Sequence, residues 1–196
     1  MTSMEKIFYE IDNAESEDDL NLLEEQMKDA TWTKLFWELR KVAVTKENEP
    51  EDREKARLKC RAIAREHNAT IPVKKAIQRF SAPYGFTGIQ ISAYAKVGKG
   101  CTILPNVVIG SNTFVDSEGQ GFPTIGENVF IGAGAMIVGN VYVGDNVRIG
   151  ANTVVTKDIP DNTTVVSAEM KVIQRDAPLD TRFVLDSRYR KQLDEE

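Results

Sequence analysis

An aliphatic residue returns at every sixth position over most of the stretch from Ile91 to Val155. Ile91, Val97, Ile103 and Ile109 form one phased set, and Ile125, Ile131, Ile137, Val143, Ile149 and Val155 form a second. A fixed short period marks a solenoid, whose units cannot bury their apolar side alone and so stack on one another. A helix is excluded here, because its apolar period is about 3.6 residues and a step of six does not keep one face inward. With the aliphatic residue counted as first in each hexad, the fifth positions are Ala95, Cys101, Val107, Thr113, Val129, Ala135, Val141, Val147, Thr153 and Ile159. First and fifth positions are an even number of residues apart, so in an extended chain both point inward. Second positions are mostly glycine (Gly98, Gly110, Gly126, Gly132, Gly144, Gly150), and fourth positions are mostly glycine, asparagine or aspartate, as at Gly100, Asn106, Gly134 and Asn152. These residues tolerate positive φ, so each hexad reads as a short strand followed by a sharp corner.

The sixteen residues from Ile109 to Ile125 break the phase and read as two hexads plus four. An excursion over Ser111–Pro123 must therefore leave the repeat. A β-helix wall is stiff and flat, so function is expected where the chain leaves it.

The runs Pro123-Thr124-Ile125-Gly126, Ile131-Gly132-Ala133-Gly134-Ala135, Gly144-Asp145-Asn146-Val147-Arg148-Ile149-Gly150-Ala151-Asn152 and Val155-Thr156-Lys157-Asp158-Ile159-Pro160 carry a resemblance. They are similar to the hexapeptide-repeat acyltransferases, in particular serine acetyltransferases and related sugar O-acetyltransferases, over roughly Tyr84 to Ile173. The resemblance implies a mainly β protein, a left-handed parallel β-helix shaped as a triangular prism with three hexads per turn. It further implies a homotrimer that transfers an acetyl group from acetyl-CoA to a hydroxyl of a small acceptor, whether serine, a sugar or a polysaccharide precursor.

Around the repeat, residues 1–80 read as a helical N-terminal region, 81–173 as the β-helix acyltransferase domain and 174–196 as a polar tail. Ser16 and Asp19 look like a capping box ahead of Leu20, Leu23 and Met27. Trp32, Leu35, Phe36, Leu39 and Val42 fall at helical spacing, and Pro50 can open a third helix that runs to His67. Pro72 and Pro83 frame a connector, and Thr164-Val165-Val166 can supply a last strand. Thirty acidic against 25 basic residues give a net charge of −5, which argues against nucleic-acid binding and against adhesion to anionic membranes. Met1 to Asn13 is too polar for a signal peptide, and Cys60 and Cys101 fall in different segments without a metal pair, with Cys101 at a core position. A reducing cytoplasm is the simplest compartment. No metal is expected, since one histidine cannot hold the zinc of the carbonic anhydrases that share this repeat.

In the resembled family a histidine takes the proton from the acceptor hydroxyl, help worth ~10²–10⁴-fold. The matching positions here hold Ser92 and Phe122, and the chain's one histidine is His67. The base is left open among Asp116 or Glu118 in a partly dry subunit interface, His67 reaching in from the helices, and Tyr84 near the first coil. The alternative is a catalytically degenerate protein, a scaffold or a CoA-binding module. For the donor, the resemblance points to the small-residue corners at Ala133, Gly134, Ala151 and Asn152, and to Lys157 and Lys171 near the nucleotide phosphates. The repeat itself also demands glycine at corners, and Ser167-Ala168-Glu169-Met170 departs from the family's Gly-x-Pro-Ala before that last lysine.

Overall fold

The computed structural model describes residues 31–167. The capping box at Ser16, the candidate Lys171 and the 174–196 tail lie outside the described residues. Two helices, α1 (Thr31–Val44) and α2 (Pro50–Glu66), precede eleven short strands. These are β1 (Gln90–Ile91), β2 (Lys96–Val97), β3 (Thr102–Ile103), β4 (Val108–Gly110), β5 (Thr124–Ile125), β6 (Phe130–Ile131), β7 (Met136–Val138), β8 (Tyr142–Val143), β9 (Arg148–Ile149), β10 (Val154–Val155) and β11 (Thr164–Val165). They pair in parallel as three sheets: face A is β1-β4-β7-β10, face B is β2-β5-β8 and face C is β3-β6-β9-β11. Successive hexads thus take the three faces in turn, and the aliphatic residues stack in columns inside a prism.

The columns hold Ile91, Ile109, Ile137 and Val155 behind face A, Val97, Ile125 and Val143 behind face B, and Ile103, Ile131 and Ile149 behind face C. All ten are at most 3% exposed, so each contributes roughly 1.5–3 kcal/mol of burial. Fifth positions fill the corners between columns, as at Ala95, Cys101, Val107, Ala135 and Thr153.

Ile91 pairs with Ile109 eighteen residues on, whereas Ile109 pairs with Ile137 twenty-eight residues on. The interval from Ile109 to Ile125 is therefore one hexad plus ten, not two hexads plus four. The reason is the base of the loop, where Asn112 and Gly121 pair antiparallel and exchange N–H···O bonds of 3.0 and 2.8 Å. The chain leaves and re-enters at one corner, and Thr113, a fifth position by count, is exposed on the loop instead of filling the core.

The two glycine sites of the hexad do different work. At the fourth positions Gly100, Asn106, Asn128, Gly134, Asn146 and Asn152 φ is positive, +70° at Gly134 and +54° at Asn152, as the sharp corner requires. At second positions φ is not positive. Gly132 is needed there because a Cβ would lie 2.6 Å from the Ala151 nitrogen of the next rung. Close stacking of rungs, not backbone conformation, demands that glycine.

Residues 69–81, most of which fall in the connector expected between Pro72 and Pro83, form a further rung. Thr70, Ile77 and Ser81 bridge in parallel to Gln90, Val97 and Thr102, and Ile71, Ile77 and Phe80 are buried. The prism therefore begins one turn before Ile91, with uneven spacing that the hexad count passes over. Above this rung sit α1 and α2. Ala56, Cys60 and Ala64 recur every four residues on the buried side of α2, their small size letting it lie close to α1. Phe36, Trp37, Phe80 and Phe86 meet edge to face, with Trp37–Phe80 centroids 5.0 Å apart and Phe36–Phe86 4.9 Å apart. Arg40 of α1, buried, donates Nη2 to the Lys74 carbonyl at 2.6 Å and to the Ile77 carbonyl. An open solenoid end exposes apolar core, and these helices close it.

Candidate active site

Three edges separate the faces, and each has its own chemistry. On the edge from B to C, Glu127, Asp145 and Asp161 occupy successive rungs beside Asn128, Asn146 and Asn162. The Glu127 N–H donates to Asp145 Oδ1 at 2.6 Å, and the Asp145 N–H donates to Asp161 Oδ1 at 2.9 Å. Asn128 Nδ2 donates to Asn146 Oδ1 at 3.4 Å and Asn146 Nδ2 to Asn162 Oδ1 at 3.2 Å. This ladder ties rungs together.

The edge from A to B carries the loop. Asn112 Nδ2 donates to Ser117 Oγ at 2.7 Å and Asn112 Oδ1 accepts the Phe114 N–H at 3.2 Å, so one side chain organises the loop from within. The loop also lies back on the next rung, where the Asn140 N–H donates to the Gly119 carbonyl at 2.9 Å. Phe114 and Val115 at its tip are 73% and 90% exposed. Asp116 and Glu118 are exposed too, and neither carboxylate makes a hydrogen bond or ion pair with another described residue, although the Glu118 carbonyl accepts from Ser117 Oγ at 3.1 Å. Below the loop on this edge is Lys157, exposed between β10 and the Val143–Ile159 bridge.

At the loop base Phe122 meets Tyr94, ring centroids 4.7 Å apart, and Lys74 Nζ stands 4.9 Å over the Tyr94 ring while donating to the Ala93 carbonyl at 2.8 Å. The two positions where the resembled family keeps histidine, Ser92 and Phe122, therefore both adjoin Tyr94, whose N–H donates to Ser92 Oγ at 3.5 Å and whose ring meets Phe122. Tyr94 was missed in the sequence, although a signal was there: it is an aromatic residue at a fourth position, where the other rungs hold glycine, asparagine or aspartate.

The edge from C to A carries Ala133, Gly134, Ala151 and Asn152, one pair stacked on the other, with the Asn152 N–H donating to the Ala133 carbonyl at 2.9 Å. Tyr84, 71% exposed, lies in the turn before β1 on this same edge. His67 is there as well: its carbonyl accepts the Gly88 N–H at 3.1 Å, and its ring stacks on Trp32 at 3.6 Å and 13°. Within one chain the candidates fall into two sets on either side of face A. Asp116, Glu118 and Lys157 belong to the loop edge; Tyr84, His67 and the small-residue corners belong to the other.

Neither cysteine is poised as a nucleophile. Burial pushes the Cys60 thiol up to about 12, against lesser pulls from Arg40 and Arg57, and burial also raises Cys101. Among the described residues no group of three or more His, Cys, Asp or Glu could hold a metal ion, and no helix is long and apolar enough to cross a membrane.

Residues 122–157 match the bacterial transferase hexapeptide (six repeats) family model. The chain is 40% identical over 107 residues to a serine acetyltransferase of Synechococcus elongatus, covering 53% of this chain and 43% of that one. It is 40% identical over 92 residues to the serine acetyltransferase of Mycobacterium tuberculosis, covering 47% and 39%. Among solved structures, serine acetyltransferase isoform 3 of Entamoeba histolytica, in complex with cysteine, superposes with a TM-score of 0.53 at 30% identity, over 63% of this chain and 44% of that one. The parallel three-faced prism is consistent with the left-handed β-helix of the hexapeptide-repeat transferases, and its likeness is to serine acetyltransferases. The chain spans about two fifths of the length of these curated relatives.

Proposed function

We propose that this protein transfers an acetyl group from acetyl-CoA to the hydroxyl of a small acceptor, in the manner of a serine acetyltransferase. One observation carries the reading. Phe122–Lys157, the stretch that matches the transferase repeat, contains both the small-residue edge and Lys157, the groups suited to a pantetheine arm and to nucleotide phosphates. Ala133 and Ala151 sit one rung apart with only a methyl group beyond the backbone, which leaves main-chain polar groups within reach of an amide-bearing arm.

The two sets of candidates lie on opposite edges of face A, so one chain does not bring them together. A second copy whose loop edge meets the small-residue edge of the first would. The outward row of face A is suited to such a contact: Met136 and Val154 are 44% and 62% exposed, and Phe114 and Val115 project from the loop. Assembly as a homotrimer satisfies this for every copy, and it would set Asp116 and Glu118 of one copy beside the small-residue edge of the next. Serine is the first acceptor to test, ahead of sugars and polysaccharide precursors. The two unpaired, buried thiols suit the reducing cytoplasm.

The test is release of free CoA thiol from acetyl-CoA with serine and a panel of sugars, alongside light scattering. Serine-dependent release from a trimer supports the reading; a stable monomer removes the shared site. A second reading, a CoA-binding or scaffold protein without turnover, is favoured by the placement of the one histidine against Trp32 instead of at the loop. Acetyl-CoA binding without thiol release for any acceptor distinguishes it.

A further inference from the structure

A cavity of about 660 Å³ opens between α2 and the 69–81 rung, away from the loop tip and from the small-residue edge. Its charge is one-sided. Arg57, Arg61, Arg65 and Lys74 line it, against a single acid, Glu54, which is already bound to Arg57 at 2.8 Å. The pattern is written into α2, where each buried small residue is followed by an arginine: Ala56-Arg57, Cys60-Arg61, Ala64-Arg65. The small residues seat the helix, and the arginines one position on share one side of it. Like charges four residues apart oppose each other on a helix, so three in a row carry a small cost that a counter-charge removes. The guanidinium groups of Arg61 and Arg65 make no ion pair or hydrogen bond with any other described residue. Lys74 holds its ammonium at the rim by donating to the Ala93 carbonyl at 2.8 Å, and Thr70 adds a hydroxyl to the lining. In a chain of net charge −5 this concentration of cations stands out.

We propose that this cavity is a binding site for a small phosphate-bearing anion, gripped by the guanidinium groups of Arg57, Arg61 and Arg65 and by Lys74. Planar guanidinium forks match phosphate oxygens two at a time, and three of them around one concavity favour a di- or polyphosphate over a carboxylate. The volume falls in the range of small-ligand sites, about 300–1,000 Å³. The site is separate from the donor groove and does not depend on the transferase reading.

The test is a calorimetric titration of the full chain with pyrophosphate. One site per chain is expected, weakened roughly tenfold or more in Arg61→Ala/Arg65→Ala and retained in Lys157→Ala. Both arginines are exposed, so the double variant should keep its unfolding midpoint; Arg61→Lys/Arg65→Lys, which keeps the charge, should bind with intermediate affinity. Absence of binding by the parent protein, unchanged affinity in the double alanine variant, or loss in Lys157→Ala instead would overturn the assignment.

Discussion

Replacing Gly132 by alanine and, separately, Gly110 by alanine makes the same chemical change at the same position of two hexads, yet the structure gives the two opposite signs. A methyl group on Gly132 would sit 2.6 Å from the Ala151 nitrogen, 2.8 Å from the Gly150 carbonyl carbon and 2.9 Å from the Ile149 oxygen. All three are backbone atoms of the next rung, held in the face C and edge contacts of β9, and they yield only if the rungs part. Overpacking of this kind costs about 1–3 kcal/mol. On Gly110 the nearest atoms are Val108 Cγ1 at 3.4 Å and Val138 Cγ2 at 3.7 Å, ordinary contacts with side-chain methyls. Neither glycine has positive φ, so alanine at Gly110 is expected to stabilise by about 0.4–1 kcal/mol through the unfolded chain. With a urea slope of about 1–3 kcal/mol/M, the two midpoints should stand on the order of 1 M apart, with the parent between them. Equal midpoints would refute the claim that rung stacking demands the second-position glycine. The outcome also bears on function: if Gly132 were kept only for a ligand, its replacement would cost donor affinity and leave stability unchanged.

Cys60 has its thiol pKa raised by burial to about 12 from 9.0, so the folded state holds the proton more tightly than the unfolded. The stability this gives is complete below pH 9 and lost as pH rises toward 12, at up to about 1.4 kcal/mol per pH unit. Urea melts of the parent should show that slope, and those of Cys60→Ala should show less of it. At Asn152, where φ is +54°, glycine should be tolerated while alanine costs about 1 kcal/mol, read as a drop in thermal midpoint. Asp116→Asn or Glu118→Gln should lower the rate of CoA thiol release by ~10²–10⁴-fold if either carboxylate is the base. Unchanged rates in both would remove them.

The prism was legible in the sequence because every turn repeats one geometry, and Ile125, Ile131 and Ile137 each report it. The loop showed itself as a slip in phase, but its length was misdivided, since nothing local says that Asn112 and Gly121 close on one corner. The rung at 69–81 stayed hidden because it bridges at offsets of twenty and twenty-one residues and is broken by Pro72. Second-position glycines were read as turn formers, though at Gly98, Gly126, Gly132 and Gly144 the cause is the approach of a neighbouring rung, which a local pattern does not contain. The candidate site was harder still. Ala133 and Lys157 lie within one matched stretch yet on different edges, because position modulo the turn, not proximity in sequence, decides which residues share an edge. The pairing of Tyr94 with Phe122 depends on the ten extra residues of the loop returning the chain to the corner that it left.

The central claim is that the prism holds an acyl-CoA donor, and the most direct test is calorimetric titration of the full chain with acetyl-CoA and with CoA, with Lys157→Ala as the comparison. The account predicts micromolar binding of both ligands, weakened by the substitution. Absence of binding at millimolar ligand would contradict it and leave the β-helix as a scaffold whose partners lie elsewhere.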